Sequence, residues 1–285
     1  MGSPDPFTNY ARAVRDVYYH SVAALSVMSW DCLSTFEDEV RYIWPMRVGY
    51  TFKWLYLFLR YIPLFAQIST QYILSRMVSG TAHNDICTSW HMSMIGLVLL
   101  TSVAVEFILA FRVYVLCRRQ LWVTLLLGCL ISAEGSCALL TLWKRYLLDR
   151  DEACILFPVL PISKIHGVFT LATESTLITM TLLKRYAIVR AGFSKVPIVT
   201  MLTRDGTLAY LLMLALLGCS FVIVKLVGWP PLVMFFWTAA MHSACGSRLI
   251  LNMAQLPSPK GTEHNDGDML LTSQIDVSLE SESTR

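Results

Sequence analysis

The chain has 285 residues, of which 55% are hydrophobic and only 15% charged, with a formal net charge of +3. A water-soluble domain carries roughly 25% charged residues, so this composition excludes a disordered chain, a disulfide-stapled mini-protein and an ordinary cytosolic enzyme. The weak, scattered positive charge excludes a nucleic-acid binder, and apolar blocks of about twenty residues indicate a polytopic membrane protein.

In chain order, residues 1–16 form a segment with no basic region followed by an apolar one, so they do not read as a secretory signal. Seven apolar stretches follow, at about 17–35, 52–74, 93–116, 121–142, 162–184, 207–227 and 231–251. Each is long enough, at about 20 residues, to cross a bilayer core of about 30 Å as a helix. The first is the least apolar, because it opens with Tyr18, Tyr19 and His20 and contains Asp31. The last two are divided by Gly228-Trp229-Pro230-Pro231, where paired prolines end one helix and start the next. Span length and the lack of alternating ten-residue segments favour helices over a barrel. The expected fold is an all-α membrane protein: a receptor-like seven-helix domain over 17–251, an extracellular segment 1–16 and a disordered cytosolic tail 252–285.

Orientation follows from lysine and arginine. Fourteen lie on one side of the spans, among them Arg41, Lys53, Arg112, Lys184, Arg185, Arg190 and Arg248, and seven on the other, among them Arg12, Arg76 and Lys144. The bias predicts an outside N-terminus and a cytosolic C-terminus; separately, the plasma membrane is expected rather than an internal one. The loop 185–204 is the most basic and is expected in the cytosol. The tail, rich in Ser, Thr, Asp and Glu, is expected to stay unfolded; Ser278, Ser281 and Ser283 sit among acidic residues, as acidophilic kinases require.

Of eight cysteines, six lie in spans or at their ends, and no C-x-x-C spacing suggests zinc or redox chemistry. Cys87 and Cys154 fall on the predicted outer face, where an oxidising compartment permits a disulfide. Such a bridge would strap the loop between spans four and five over the mouth of the bundle, as in many seven-helix receptors. The alternative is two free thiols.

Ionisable residues inside a bilayer are costly and mark functional candidates. At about 1.5 Å per residue, Glu106, Glu134, Glu174 and His242 share a depth near the midplane of spans three, four, five and seven. In span five, Gly167, Thr170, Glu174 and Thr181 fall on one helical stripe. The four ionisable residues are a candidate site for a cation, a protonated ligand or a proton. The competing reading makes each glutamate a protonated helix-to-helix bond. Asp31 and Arg60 lie toward the same end of neighbouring antiparallel spans and are a candidate structural ion pair. Glu37-Asp38-Glu39 with Arg41 reads as a solvated loop, and Tyr42, Ile43 and Trp44 as interfacial anchors.

The run Ser29-Trp30-Asp31-Cys32-Leu33-Ser34-Thr35, followed by Glu39-Val40, Ile43-Trp44, Lys53 and Arg60-Tyr61, resembles the N-terminal domain of unknown function of a large fungal family. That family consists of uncharacterised integral membrane proteins, mostly from basidiomycetes. The resemblance covers about 19–65 and extends to Asp205-Gly206 and Ser247-Arg248-Leu249. It implies a multi-span fold and supplies no activity.

Span seven has no lysine for a retinal Schiff base. Span three ends Phe111-Arg112-Val113-Tyr114 and lacks an acidic-arginine-tyrosine triplet. No H-x-x-x-H or H-E-x-x-H spacing supports an intramembrane hydrolase, and no cofactor or metal is implied. The leading expectation is a sensor: an unknown small ligand enters from outside, and loop 185–204 with the tail presents the signal to a cytosolic partner. A secondary or proton-coupled transporter using the same carboxyls is the second, and a non-catalytic membrane scaffold the third.

Overall fold

The computed structural model describes residues 6–46, 51–79, 84–117, 120–148, 161–190 and 232–255, with a few helical residues between 211 and 222. The described residues form helices joined by turns, with no strand among them: α1 (Pro6–Ser34), α2 (Phe36–Tyr42), α3 (Thr51–Val78), α4 (Asn84–Leu116), α5 (Leu121–Leu148), α6 (Pro161–Arg190) and α7 (Leu232–Ala254). Six of the seven expected spans overlap a long helix. Most of the stretch 207–227, and the expected tail beyond residue 255, lie outside the described residues.

Two boundaries differ from the sequence reading. The expected separate segment 1–16 is helical from Pro6 onward, and runs without a break into the first span. Ala13, Val14 and Val17 are buried on one face, so an apolar stripe carries the helix past the point where hydropathy alone stops it. The last helix likewise runs to Ala254 and takes in the first residues assigned to the tail.

Between α1 and α3 the chain is helical rather than a loop. Thr35 breaks the run with φ −111° and ψ 6°, and its hydroxyl donates to the Asp31 carbonyl at 2.9 Å. The same carbonyl accepts the Thr35 N–H at 3.3 Å and the Ser34 hydroxyl at 3.0 Å, so the last turn of α1 is closed before the chain enters α2. Here the expected solvated loop is corrected: Glu37 is exposed, but Glu39 is fully buried.

Helix α7 is the hub, in contact with α1, α3 and α4, while α5 packs on α4 and α6. The reason lies in its side chains: Ala239, Ala240, Ser243, Gly246 and Ser247 are all buried, and small residues let helix backbones approach closely. At Gly246 an added Cβ would stand 2.7 Å from Leu59 Cδ1 and 3.0 Å from Val105 Cγ2. The apolar core is divided along the helices. One cluster gathers Tyr56, Leu59, Val105, Ile108, Leu177 and Leu249. The other gathers Val17, Met28, Leu74, Trp90, Met94 and Phe236. Buried Thr101, His242 and Ser243 fall between the two along α4 and α7.

Two stretches, Ser89–Tyr114 and Leu121–Lys144, are long and apolar enough to cross a membrane. Helix α5 leaves Leu121, Leu125, Leu139 and Trp143 more than 60% exposed. An apolar helix with so much uncovered surface is unlike the core helix of a soluble protein and points to membrane association. The remaining long helices are interrupted by polar residues: Asp31 in α1, Arg60 in α3, five threonines and Glu174 in α6, His242 and Arg248 in α7.

Candidate functional site

Charged side chains collect in two places. The first is a knot where α1, α2, α3 and α7 meet. Arg60, projecting from α3 and 1% exposed, places Nη1 2.9 Å from Asp31 Oδ2. Its Nη2 donates to the Asp31 and Cys32 carbonyls at 3.1 and 2.8 Å and to the Thr35 hydroxyl. Its Nε lies 3.5 Å from Glu39 Oε2. Arg248 reaches in from α7, with Nε 2.8 Å and Nη2 2.7 Å from Asp31 Oδ1. Asp31 therefore carries one arginine on each oxygen, the guanidinium fork matching the planar acceptor.

Glu39 is the second anion of the knot. Tyr61 donates to its Oε1 at 2.5 Å and the Trp44 indole to the same oxygen at 3.1 Å. Tyr56 donates to its Oε2 at 3.2 Å. Two carboxylates face two guanidiniums, and every carboxylate oxygen has a partner, which is the condition under which buried charge is tolerated. Sequence reasoning placed Asp31 and Arg60 here but missed Glu39, Thr35, Tyr56, Tyr61 and Arg248. Glu39 resembled any member of an acidic triplet; the available signal was its four-residue spacing from Ile43, which puts both on one side of a helix.

The second collection lies among α4, α5 and α6. Glu106, Glu134 and Glu174 are 2%, 3% and 5% exposed. The three carboxyls lie near enough to interact electrostatically, Glu134 with both Glu106 and Glu174. Thr170 of α6 donates to Glu134 Oε1 at 2.6 Å and so ties α5 to α6. The Oε2 atoms of all three glutamates find no donor among the described residues. No ion pair compensates them among those residues either. This is the reverse of the knot: buried anionic capacity left open.

His242 packs on the same α4 face as Glu106: its Nε2 lies 3.3 Å from the Ser102 hydroxyl, one helical turn before Glu106 along that helix. On the expected polar stripe of α6, Glu174 and Thr181 are buried while Gly167 and Thr170 are partly covered. Cys154 and the side chain of Cys87 lie outside the described residues. Arg112, near the end of α4, donates from Nη2 to the Leu249 carbonyl of α7 at 2.5 Å, a cation on a helix C-terminus where the dipole favours it.

Residues 19–65 match the model of a Family of unknown function (DUF6533). That segment contains Asp31, Thr35, Glu39, Tyr56, Arg60 and Tyr61, so it builds all of the knot except what α7 contributes. Comparisons with curated proteins and with solved structures give no match.

Proposed function

We propose that the chain is an integral membrane protein of receptor-like seven-helix architecture, with its N-terminus outside and C-terminus in the cytosol of a plasma-membrane-resident protein. Its function is to sense a small cationic ligand at the Glu106–Glu134–Glu174 cluster. The observation that carries the reading is the set of three buried carboxyls from three helices, each with an oxygen that no donor among the described residues satisfies. Burial of such groups is retained where a ligand supplies the missing partner.

Among the described residues no three His, Cys, Asp or Glu side chains are close enough to share a metal ion. The spread of the cluster instead suits an organic ammonium, whose several N–H donors reach separate oxygens. Ligand contact with α4, α5 and α6 together would bias how these helices pack, and α6 itself takes in residues 185–190, the helical start of the basic segment 185–204, expected as a loop, that the sensing reading assigns to a cytosolic partner.

The test uses the full chain in phosphatidylcholine nanodiscs, with methylammonium and spermidine as probes, tetramethylammonium as the control that lacks N–H donors, and thermal unfolding as readout. At 100 times its Kd, a bound cation adds about 2.7 kcal/mol of stability. An ammonium-dependent rise in Tm that disappears in Glu174→Gln and Glu106→Gln supports the site. No rise with any probe, or an equal rise in the glutamine variants, overturns it.

The electrostatic coupling of Glu106 to Glu134 favours a second reading, a proton-coupled carrier, since neighbouring carboxyls share a proton rather than ionise together. Cation flux into proteoliposomes that follows an imposed pH gradient would select the carrier over the sensor.

A further inference from the structure

Helix α2 and its C-cap Ile43 present four sectors, one of them formed by the half-buried Asp38 and Tyr42. With about 100° between successive residues, Glu39 and Ile43 occupy one sector, Phe36 and Val40 the adjoining one, and Glu37 and Arg41 the next. Glu39 and Ile43 are fully buried against the bundle, whereas Phe36 and Val40 are 49% and 42% exposed. Glu37 and Arg41 are exposed and charged. The chain then turns back so that the Trp44 ring meets the Phe36 ring edge-on, with centroids 6.4 Å apart.

An exposed apolar sector set between a protein-facing sector and a charged one is the pattern of a helix lying in a membrane surface. We propose that α2 is such a helix: Phe36, Val40 and Trp44 insert into the headgroup–acyl boundary of the bilayer, and Glu39 fastens the inserted helix to the Arg60 knot. The inference rests on the membrane reading given above.

Three observations select the bilayer as the occupant. The stripe continues the uncovered apolar surface at the end of α1, where Trp30 and Leu33 are more than 70% exposed. Trp54, in the first turn of α3, is 57% exposed beside it, so three tryptophans, Trp30, Trp44 and Trp54, crowd one end of the bundle, as interfacial aromatic belts do. Trp44 also has the amphipathic arrangement of a belt residue, its ring uncovered and its indole N–H bonded inward to Glu39. The backbone behind it is held as well: Lys53 Nζ donates to the Trp44 and Met46 carbonyls at 2.9 and 2.8 Å. Depth in the membrane is thereby fixed to the position of Glu39 and, through it, to Arg60.

The experiment places reporters on the half-exposed stripe itself. Phe36→Trp and Val40→Trp are made in the full chain, reconstituted in phosphatidylcholine vesicles, and the fluorescence of the parent is subtracted. Leu100→Trp, at an exposed position near the middle of α4, serves as the reference. The expected result is quenching of the α2 reporters by lipids brominated high on the acyl chain and of the Leu100 reporter by lipids brominated low on it. Quenching of the α2 reporters by aqueous iodide alone places the stripe in water and overturns the proposal. Quenching by neither agent means that a protein surface, such as a second copy, covers the stripe, and overturns it too. Failure of bromolipid quenching at the Leu100 reporter as well would instead bring down the membrane reading itself.

Discussion

Asp31 accepts from two arginines that differ in their surroundings. The Arg60 side chain is 1% exposed and that of Arg248 57%. Arg60→Gln leaves Asp31 and Glu39 without their buried cation, which is expected to destabilise the protein by about 3–5 kcal/mol. Arg248→Gln removes a partner that water can replace, and the loss should be about 0.2–1 kcal/mol. Thermal unfolding of the two variants in detergent micelles compares them directly; equal losses would contradict the assigned burial. Glu39 belongs to the same network, so Glu39→Gln and Arg60→Gln should be non-additive. Glutamine at 39 presents an amide donor to three side chains that are themselves donors, Trp44, Tyr56 and Tyr61. The double variant should fall short of the summed single losses by about 0.5–3 kcal/mol, the range for groups in one network.

At the scale of elements, the crossing of α7 with α3 and α4 depends on Gly246. Alanine there would press on Leu59 Cδ1 at 2.7 Å, and Leu59 is fully buried and unable to swing into solvent. Gly246→Ala is expected to lose about 1–3 kcal/mol and Gly246→Val more, with Leu59→Ala relieving part of the alanine defect. Unfolding of the single and double variants measures this, and a neutral Gly246→Val would show that the helices stand farther apart. Helix positions were legible in the sequence because a bilayer-length apolar run leaves few alternatives, and the Pro230-Pro231 pair and charged clusters mark the ends. Helix α2 was not legible. Its seven residues are too few to show a periodic face, and half of its logic resides in Tyr56, Arg60 and Tyr61, which the chain brings alongside only after turning back. His242 illustrates a related limit: hydropathy gives depth, whereas facing depends on how α4 and α7 rotate against each other, and that rotation set His242 against Ser102.

Across the whole molecule, buried charge is treated in two opposite ways. The knot at one end is balanced in charge, with every carboxylate oxygen partnered, and it links α1, α2, α3 and α7. The carboxyls among α4, α5 and α6 are unbalanced and unsaturated. These two states predict opposite responses to the same chemical change. In the knot, neutralising a carboxyl strands a guanidinium, so Asp31→Asn should lower thermal stability. In the triad, Glu174→Gln removes a buried acceptor that lacks a donor and replaces it with a neutral group of nearly the same shape. Its effect on stability should be neutral or positive by about 1 kcal/mol, the scale on which strained functional sites are relieved when function is given up. Glu134→Gln is expected between these extremes, because the Thr170 hydroxyl donates to Glu134 and can still donate to the amide oxygen. Tm values of the three variants in nanodiscs, measured without added cation, provide the comparison. A fall for Asp31→Asn with a rise or no change for Glu174→Gln matches a structural knot and an open ligand site. A comparable fall for both would instead identify the triad as ordinary helix-to-helix bonding, and the sensing reading would lose the observation on which it stands.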